Sequence, residues 1–174
     1  MKIRIVFVVI LTSLLFITCS ENKVKLPIAT SLGNLVEIEQ KDMVETTQKE
    51  PGLPYYSNKK ITPNPEEVLY LLTFEGKNEI IYEGGLSNDG PYKLTVIDTQ
   101  GEQFNPKFAG TLNKDGVVSN KEWLISGRVE TIDGKFVFKG KATVPEQRLT
   151  LIYIVSKKAT GLTLKDGNQR YPIE

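Results

Sequence analysis

The chain has 174 residues, with 22 Lys+Arg against 21 Asp+Glu, one Cys and no His. This length suits one ordinary domain, and 40% apolar with 25% charged residues predicts a folded chain rather than a disordered one. The lack of histidine removes the commonest general base and metal ligand. A single cysteine excludes an internal disulfide, a Cys-rich zinc site and an iron–sulfur cluster.

The first segment of the chain has the pattern of an export signal. Residues 1–4 carry Lys2 and Arg4, and residues 5–17 form a run of 13 residues interrupted only by Thr12 and Ser13. This run is as long as the apolar part of a signal peptide and too short to span a bilayer comfortably. The single cysteine, Cys19, lies two residues after the run, where the polar residues begin.

The segment Phe16-Ile17-Thr18-Cys19 resembles the lipobox of bacterial lipoprotein signals, in a relaxed form. The resemblance implies that residues 1–18 are a signal peptide and residues 19–29 a lipidated tether. Cys19 would then carry acyl chains such as palmitate, and two or more chains anchor a protein stably to a membrane. The protein would lie in the bacterial cell envelope, facing outside the cytoplasm. An ordinary cleaved secretory signal and an uncleaved membrane anchor remain the alternatives.

The balance of charge argues against nucleic acid as a partner. Removing residues 1–18 takes away two basic residues, which leaves 20 basic against 21 acidic residues and changes the net charge from +1 to −1. A nucleic-acid-binding surface needs a basic patch, and the remaining sequence contains no block of that kind.

The predicted domain, residues 30–174, has the sequence pattern of short strands separated by turns. Val68–Phe74 and Leu149–Val155 are apolar on both faces, which is typical of central strands, whereas residues 136–144 alternate with the period of a half-buried strand. We also predict strands at residues 35–39, extended toward residue 44, at 79–83 and at 92–96. The Pro-rich stretch 48–65 is predicted to be irregular.

Four Asp-Gly pairs supply the positive φ angles that tight hairpin turns require, at residues 89–90, 115–116, 133–134 and 166–167. The pair at 133–134 gives the best hairpin signal, because strand-like sequence lies on both sides of it. Asn64-Pro65-Glu66-Glu67 could begin a short helix, but the residues that follow favour a strand.

Seven to nine short strands predict an all-β fold, an antiparallel sandwich or barrel. The order of features is similar to that of small immunoglobulin-like domains on bacterial surface lipoproteins, a mostly uncharacterised family. The resemblance is carried by residues 32–35, 70–74, 98–104, 144–145 and 149–153. It implies an immunoglobulin-like sandwich outside the cytoplasm, and it implies no activity.

The side chains offer little catalytic chemistry. Paired carboxylates, as in glycosidases, remain possible, but no pair stands out among Glu37, Glu39, Glu66, Glu67, Glu79, Glu83, Asp98 and Glu102. Asn113-x-Asp115-Gly116 and Asn88-Asp89-Gly90 could contribute to a calcium site, but tight turns explain them without a ligand. We predict no catalytic residue, no cofactor and no metal.

Tyr55 and Tyr56 are the candidate binding residues, because tyrosines exposed on a loop are good recognition groups. The competing interpretation, which we favour from the sequence, is that the loop folds over one end of the sandwich and buries them. Trp123 is predicted to lie in the core.

These features predict a lipid-anchored, non-catalytic binding or accessory module of the bacterial envelope. Its partners would be the membrane, through the lipid, and an unknown envelope protein or ligand. A small inhibitor or immunity-type protein that blocks one partner is the second hypothesis, and an envelope hydrolase with paired carboxylates is the third.

Overall fold

The structure, a computed structural model, describes residues 24–49, 55–85, 94–133 and 135–174. The described residues form fifteen β-strands and one short 3-10 turn at Pro145–Gln147, with no α-helix among them. The strands are β1 Ile28–Thr30, β2 Gly33–Lys41, β3 Val44–Lys49, β4 Tyr56–Ile61, β5 Glu67–Glu75, β6 Glu79–Gly85, β7 Leu94–Ile97, β8 Gln103–Phe104, β9 Pro106–Leu112, β10 Val117–Ser119, β11 Leu124–Ile132, β12 Lys135–Thr143, β13 Arg148–Ser156, β14 Thr163–Asp166 and β15 Gln169–Pro172.

The strands are arranged in three sheets. The largest has eight strands in the order β1-β2-β5-β13-β9-β10-β3-β4, the second has the order β15-β14-β7-β8, and the third has the order β11-β12-β6. Sheets pack against each other around apolar side chains, so the predicted all-β sandwich is confirmed. The predicted strand number is too low, because β1, β8 and β10 have only two or three residues and leave no clear periodicity.

The centre of the large sheet is formed by β5 and β13, which pair antiparallel over nine residues each. Both strands are buried on both faces, as their apolar sequences predict. The main core lies between one face of this sheet and the four-strand sheet. It contains Tyr70, Leu72 and Phe74 from β5, together with Leu94, Val96 and Leu164 from β7 and β14.

A smaller core lies on the opposite face of the large sheet. Val44 of β3, Leu71 of β5 and Ile152 of β13 belong to this one cluster, although several strands separate β3 from β5 in the sheet. The large sheet therefore curls over its own second face. Gly110 permits a close approach of β9 to its neighbour β10, because a Cβ at this position would lie 2.8 Å from the main chain of Ser119.

Three of the predicted Asp-Gly turns lie at hairpins. Residues 115–116 lie between β9 and β10, Asp133 follows β11 in the β11–β12 hairpin, and Gly167 follows β14 in the β14–β15 hairpin. Asp133 and Gly167 have φ angles of 51° and 61°, in the left-handed region that such turns require. The pair at 89–90 lies outside the described residues.

The structure corrects several local predictions. The strand from residue 35 does not reach Val44, because β2 ends at Lys41 and a separate strand, β3, begins at Val44. The Pro-rich stretch 48–65 is not irregular throughout, since it contains β4. The pairing is not wholly antiparallel, because β3 and β10 run parallel.

The region around Asn64 is a turn and not a helix. The main-chain N–H of Asn64 donates to the Glu67 side chain at 3.0 Å, and the N–H of Glu67 donates to the Asn64 carbonyl at 2.9 Å. This closed turn leads directly into β5, as the favoured interpretation predicts.

The fold also extends toward the N-terminus beyond the predicted boundary at residue 30. Strand β1 begins at Ile28 and pairs with β2. Leu26 and Ile28 pack against the main core, so the last part of the predicted tether belongs to the sandwich.

Candidate binding site

Tyr55 and Tyr56 lie at the beginning of β4, which is the last strand at one edge of the large sheet. Their exposed fractions are 57% and 41%. The favoured prediction that the loop buries them is wrong, because both side chains are exposed beside the edge strand. Two adjacent aromatic side chains in contact with solvent can bind a partner through apolar and polar contacts, since each has an apolar ring and a polar hydroxyl.

A lysine lies beside the second tyrosine. The Nζ of Lys121 is 5.1 Å from the centroid of the Tyr56 ring, which is within the range of a cation–π contact. Lys121 follows β10, which is the other neighbour of β3. We call Tyr55, Tyr56 and Lys121 the tyrosine patch. The sequence analysis missed Lys121, because residue 121 is 65 positions from Tyr56 and only the β10–β3–β4 pairing brings them together.

Main-chain hydrogen bonds hold the turn that carries Lys121. The N–H of Asn120 donates to the Thr47 carbonyl at 3.2 Å, and the N–H of Trp123 donates to the Asn120 carbonyl at 3.1 Å. The N–H of Lys121 donates to the Ser119 hydroxyl at 3.2 Å. The lysine therefore has a fixed attachment point beside β3, and its position does not depend on the cation–π contact alone.

Polar pairs continue along the same face of β3 and β4. The Thr47 hydroxyl donates to the Asn58 side-chain oxygen at 2.9 Å, and the Lys60 Nζ lies 3.0 Å from a Glu45 carboxylate oxygen. Both pairs are exposed, so each contributes little to the stability of the fold. This face of the hairpin is polar and hydrated next to the two tyrosines.

Trp123 lies in the main core, as predicted, with an exposed fraction of 2%. Its indole Nε1 donates to the Thr111 hydroxyl at 3.1 Å, so the polar atom of the ring is satisfied inside the protein. Trp123 therefore anchors the chain just after Lys121 and does not belong to the recognition surface.

The candidate carboxylates are dispersed among separate contacts. Glu37 and Glu39 lie on one half-exposed face of β2, as predicted, and each pairs with a cation: Glu37 with Arg148 and Glu39 with Lys41, both at 2.9 Å. The other ion pairs among the candidates are Glu79 with Lys141 at 2.9 Å and Glu66 with Lys158 at 3.8 Å. The Glu83 side chain lies outside the described part of the structure.

Two further candidates belong to turns. A side-chain oxygen of Asp98 accepts hydrogen bonds from the N–H groups of Gln100 and Glu102 at 2.9 and 2.8 Å, which closes the hairpin between β7 and β8. The Asn113 side chain accepts from the N–H groups of Asp115 and Val117, both at 2.9 Å. The turn interpretation of Asn113 is confirmed. No group of three or more metal-ligating acids, cysteines or histidines occurs within the described ranges.

A shallow groove of about 370 Å³ lies near the start of β2 and the end of β5. It is lined by Pro27, Asn34, Val36, Glu75, Gly76, Glu146 and Gln147. One of its two carboxylates, Glu75, is bound by Arg148 at 3.0 Å. Glu146 and Gln147 have φ angles of 56° and 53°, a main-chain conformation that is uncommon for residues other than glycine.

Burial changes the proton affinity of one tyrosine. Desolvation raises the pKa of Tyr70 to about 12, and the nearby Glu174 carboxylate adds to this rise through its charge and a hydrogen bond. Gln40 donates to the Tyr70 hydroxyl at 2.6 Å.

The pKa of a surface carboxylate, Glu130, is lowered. Hydrogen bonding by Lys139 is the largest cause of this decrease, and Arg128 acts in the same direction.

The remaining predicted site residue, Cys19, lies outside the described residues, as do residues 1–18. No helix within the described ranges is long and apolar enough to span a membrane. No family model, curated protein or solved structure matches the chain.

Proposed function

We propose that this protein is a non-catalytic binding module and that the tyrosine patch is its contact surface. The observation that carries the proposal is the exposure of Tyr55 and Tyr56 beside Lys121. An aromatic pair exposes large apolar area at a low cost in side-chain entropy, and a cation at its border adds charge selectivity. Contacts of this kind commonly dominate the affinity of a protein interface.

The rest of the sandwich supplies the support that such a surface needs. The two cores lie on both faces of the large sheet, and β4 extends this sheet at its edge. Binding residues on a rigid scaffold lose less freedom on association than residues on a free loop. The patch can therefore bind a partner without a rearrangement of the fold.

The location is part of the same proposal. The pattern of residues 1–19 supports export and lipid attachment at Cys19, which would hold the sandwich at the surface of a bacterial membrane. The immunoglobulin-like resemblance of residues 30–174 agrees with a domain outside the cytoplasm. The ligand or partner would then be a component of the envelope.

The direct test is affinity capture from an envelope extract of the source cells with the tagged protein. Tyr55→Ala/Tyr56→Ala should lose the captured partner. Leu124→Ala is the matched control, because Leu124 is an apolar side chain with 73% exposure on a different sheet. It should capture as much as wild type. Equal capture by the tyrosine variant would show that the patch is not the contact surface.

The absence of catalysis needs a separate test. Wild type is incubated with glycan, peptide and ester substrates, with and without calcium, and we expect no turnover. Turnover that disappears when one of the candidate acids is changed to its amide, for example Glu37→Gln, would replace the binding proposal with the carboxylate hydrolase.

A further inference from the structure

The tyrosine patch borders a polar sheet face that is formed by β10, β3 and β4. Val44, Thr46 and Val118 are buried on the opposite face of these strands. Successive side chains of a strand point to opposite faces, so the residues next to these three point outward. We call this surface the outer face, and it includes Glu45, Thr47, Tyr56, Asn58, Lys60 and Ser119.

The outer face offers hydrogen-bond donors beside an aromatic ring. The side-chain oxygen of Asn58 accepts from the Thr47 hydroxyl, which leaves the two N–H donors of the same amide without a partner among the described residues. Tyr56 lies two residues away from Asn58 on the same side of β4, at a distance of about 7 Å along the strand. A ligand that packs on Tyr56 can therefore also accept from Asn58.

The charge that this surface offers to a ligand lies at Lys121. Glu45 and Lys60 form an ion pair at 3.0 Å toward the other end of β4, so their charges compensate each other. Lys121 forms no ion pair within the described ranges, not even with its exposed chain neighbour Glu122. Its ammonium is exposed, and a cation–π contact leaves its N–H donors open to an acceptor. An anionic group can bind there.

The spacing of the ring and the ammonium restricts the shape of the ligand. The Nζ of Lys121 is 5.1 Å from the centroid of the Tyr56 ring, and Tyr56 keeps an exposed fraction of 41% beside it. A ligand that meets both groups needs an apolar surface and an anionic group close together. In an extended peptide, side chains on the same face are attached about 7 Å apart. A sugar ring that carries its own carboxylate combines both features in one unit.

We propose that the tyrosine patch binds an acidic polysaccharide through a uronic acid unit. This inference rests on the proposed function and names the ligand class of the same site. The C–H groups of the sugar ring pack against the exposed part of Tyr56, and the carboxylate meets the Lys121 ammonium. The Asn58 amide donates to a hydroxyl where the sugar chain continues over the outer face.

The probes are dye-labelled tetrasaccharides of galacturonate, mannuronate and guluronate, which present the carboxylate in different stereochemistries. Their binding to the full chain in mild detergent is measured by fluorescence anisotropy. We expect at least one of them to bind wild type, and its carboxyl-reduced, neutral form to bind about tenfold more weakly. Its affinity should fall with rising salt concentration, because salt screens the exposed ammonium. A labelled oligoglutamate of equal charge should bind more weakly, because it has no ring to pack on the tyrosine.

Variants of the protein separate the charge from the aromatic contact. Lys121→Gln should weaken binding roughly tenfold and flatten its salt dependence. Tyr56→Ala should also weaken binding roughly tenfold, whereas Tyr56→Phe keeps the ring and should stay within about threefold of wild type. Lys114→Gln is the matched control, because it removes an exposed lysine at the other end of β10 and should leave binding unchanged. Equal melting temperatures show that the variants retain the fold.

The uronic acid assignment is overturned if none of the three tetrasaccharides binds wild type, or if the neutral form or the oligoglutamate binds equally well. It is also overturned if Lys121→Gln or Tyr56→Ala binds as wild type does. These failures differ from failure of the binding module itself. If the captured envelope partner still depends on Tyr55 and Tyr56, the tyrosine patch stands and only the ligand class is wrong. If the tyrosine variant captures the partner normally, the proposed function is wrong.

Discussion

The side-chain hydroxyls of Thr73 and Thr150 lie 3.1 Å apart on the two central strands of the large sheet. The two residues are direct partners in the β5–β13 register, and they are 1% and 0% exposed. One hydroxyl therefore donates to the other in a buried part of the sheet, where an unpaired polar group would be costly. This polar pair lies within strands that are otherwise the most apolar of the protein.

The pair predicts a non-additive effect of substitution on stability. Thr73→Val or Thr150→Val alone leaves one buried hydroxyl without its partner and should lower the free energy of unfolding by about 1–3 kcal/mol. The double variant removes both hydroxyls and should be less destabilised than the sum of the two single variants. Urea unfolding of the four proteins measures the coupling. Additive losses would show that the two hydroxyls do not depend on each other.

The sequence predicted those parts of the fold that local pattern controls. Leu149–Val155 is apolar at every position except Thr150, and only a strand buried on both faces can accommodate that composition. Asp-Gly turns provided a second local signal, since the φ requirement of a tight hairpin involves two adjacent residues. Trp123 also lies in the core, as its residue type predicts.

The sequence did not predict the features that depend on strand order. Strand β4, Tyr-Ser-Asn-Lys-Lys-Ile, has no apolar alternation, because four of its six residues are exposed and only Ile61 packs against the smaller core. The parallel pairing of β3 with β10 joins distant parts of the chain, and this pairing places Lys121 next to Tyr56. Burial of the two tyrosines was predicted from residue type alone, whereas their exposure follows from the position of β4 in the sheet.

Two glycines provide a matched test of close packing between β2 and the end of β5. Gly33 and Gly76 have φ angles of 112° and 98°, so alanine is strained at both positions. A Cβ at Gly33 would lie 2.4 Å from the Glu75 carbonyl oxygen, whereas a Cβ at Gly76 would have nothing within 4 Å. Gly76→Ala should cost about 1–3 kcal/mol through strain. Gly33→Ala should cost clearly more, because main-chain atoms must also move.

Urea unfolding of both alanine variants under identical conditions gives the comparison. The difference between them isolates the contact with Glu75, since the backbone strain is common to both. Equal destabilisation would show that β2 moves away from β5 at little cost.

Tyr70 predicts a loss of stability at alkaline pH. Its pKa rises from 10.0 in the unfolded chain to about 12 in the folded protein, mainly because of burial. A group whose folded pKa is raised stabilises the fold fully below the unfolded pKa, and this contribution is lost as the pH rises through the folded pKa. The affected window is therefore about pH 10 to 12, with an upper bound of roughly 3 kcal/mol.

Tyrosinate absorbance during alkaline titration follows this ionisation directly. Wild type should show a late-titrating tyrosine that is missing in Tyr70→Phe. Glu174→Gln should move this late step to lower pH, because the neutral amide no longer repels the phenolate. If Tyr70→Phe keeps the late step, the step belongs to another tyrosine and the assignment is wrong.

Lipid attachment at Cys19 is the last prediction, and it rests on the sequence. The chain contains a single cysteine, and only Thr18 separates it from the end of the 13-residue apolar run. Metabolic labelling with a fatty-acid analogue should therefore mark wild type and leave Cys19→Ala unlabelled. Because no other thiol exists in the chain, loss of the label cannot be offset by a second thioether site.

Cys19→Ala should also leave the membrane fraction on washing, since the sandwich would have lost its acyl chains. Tyr55→Ala/Tyr56→Ala serves as the control, since it changes the contact surface and should keep the label. Equal labelling of wild type and Cys19→Ala would contradict the lipoprotein hypothesis, and the binding module would then be secreted or held by another anchor.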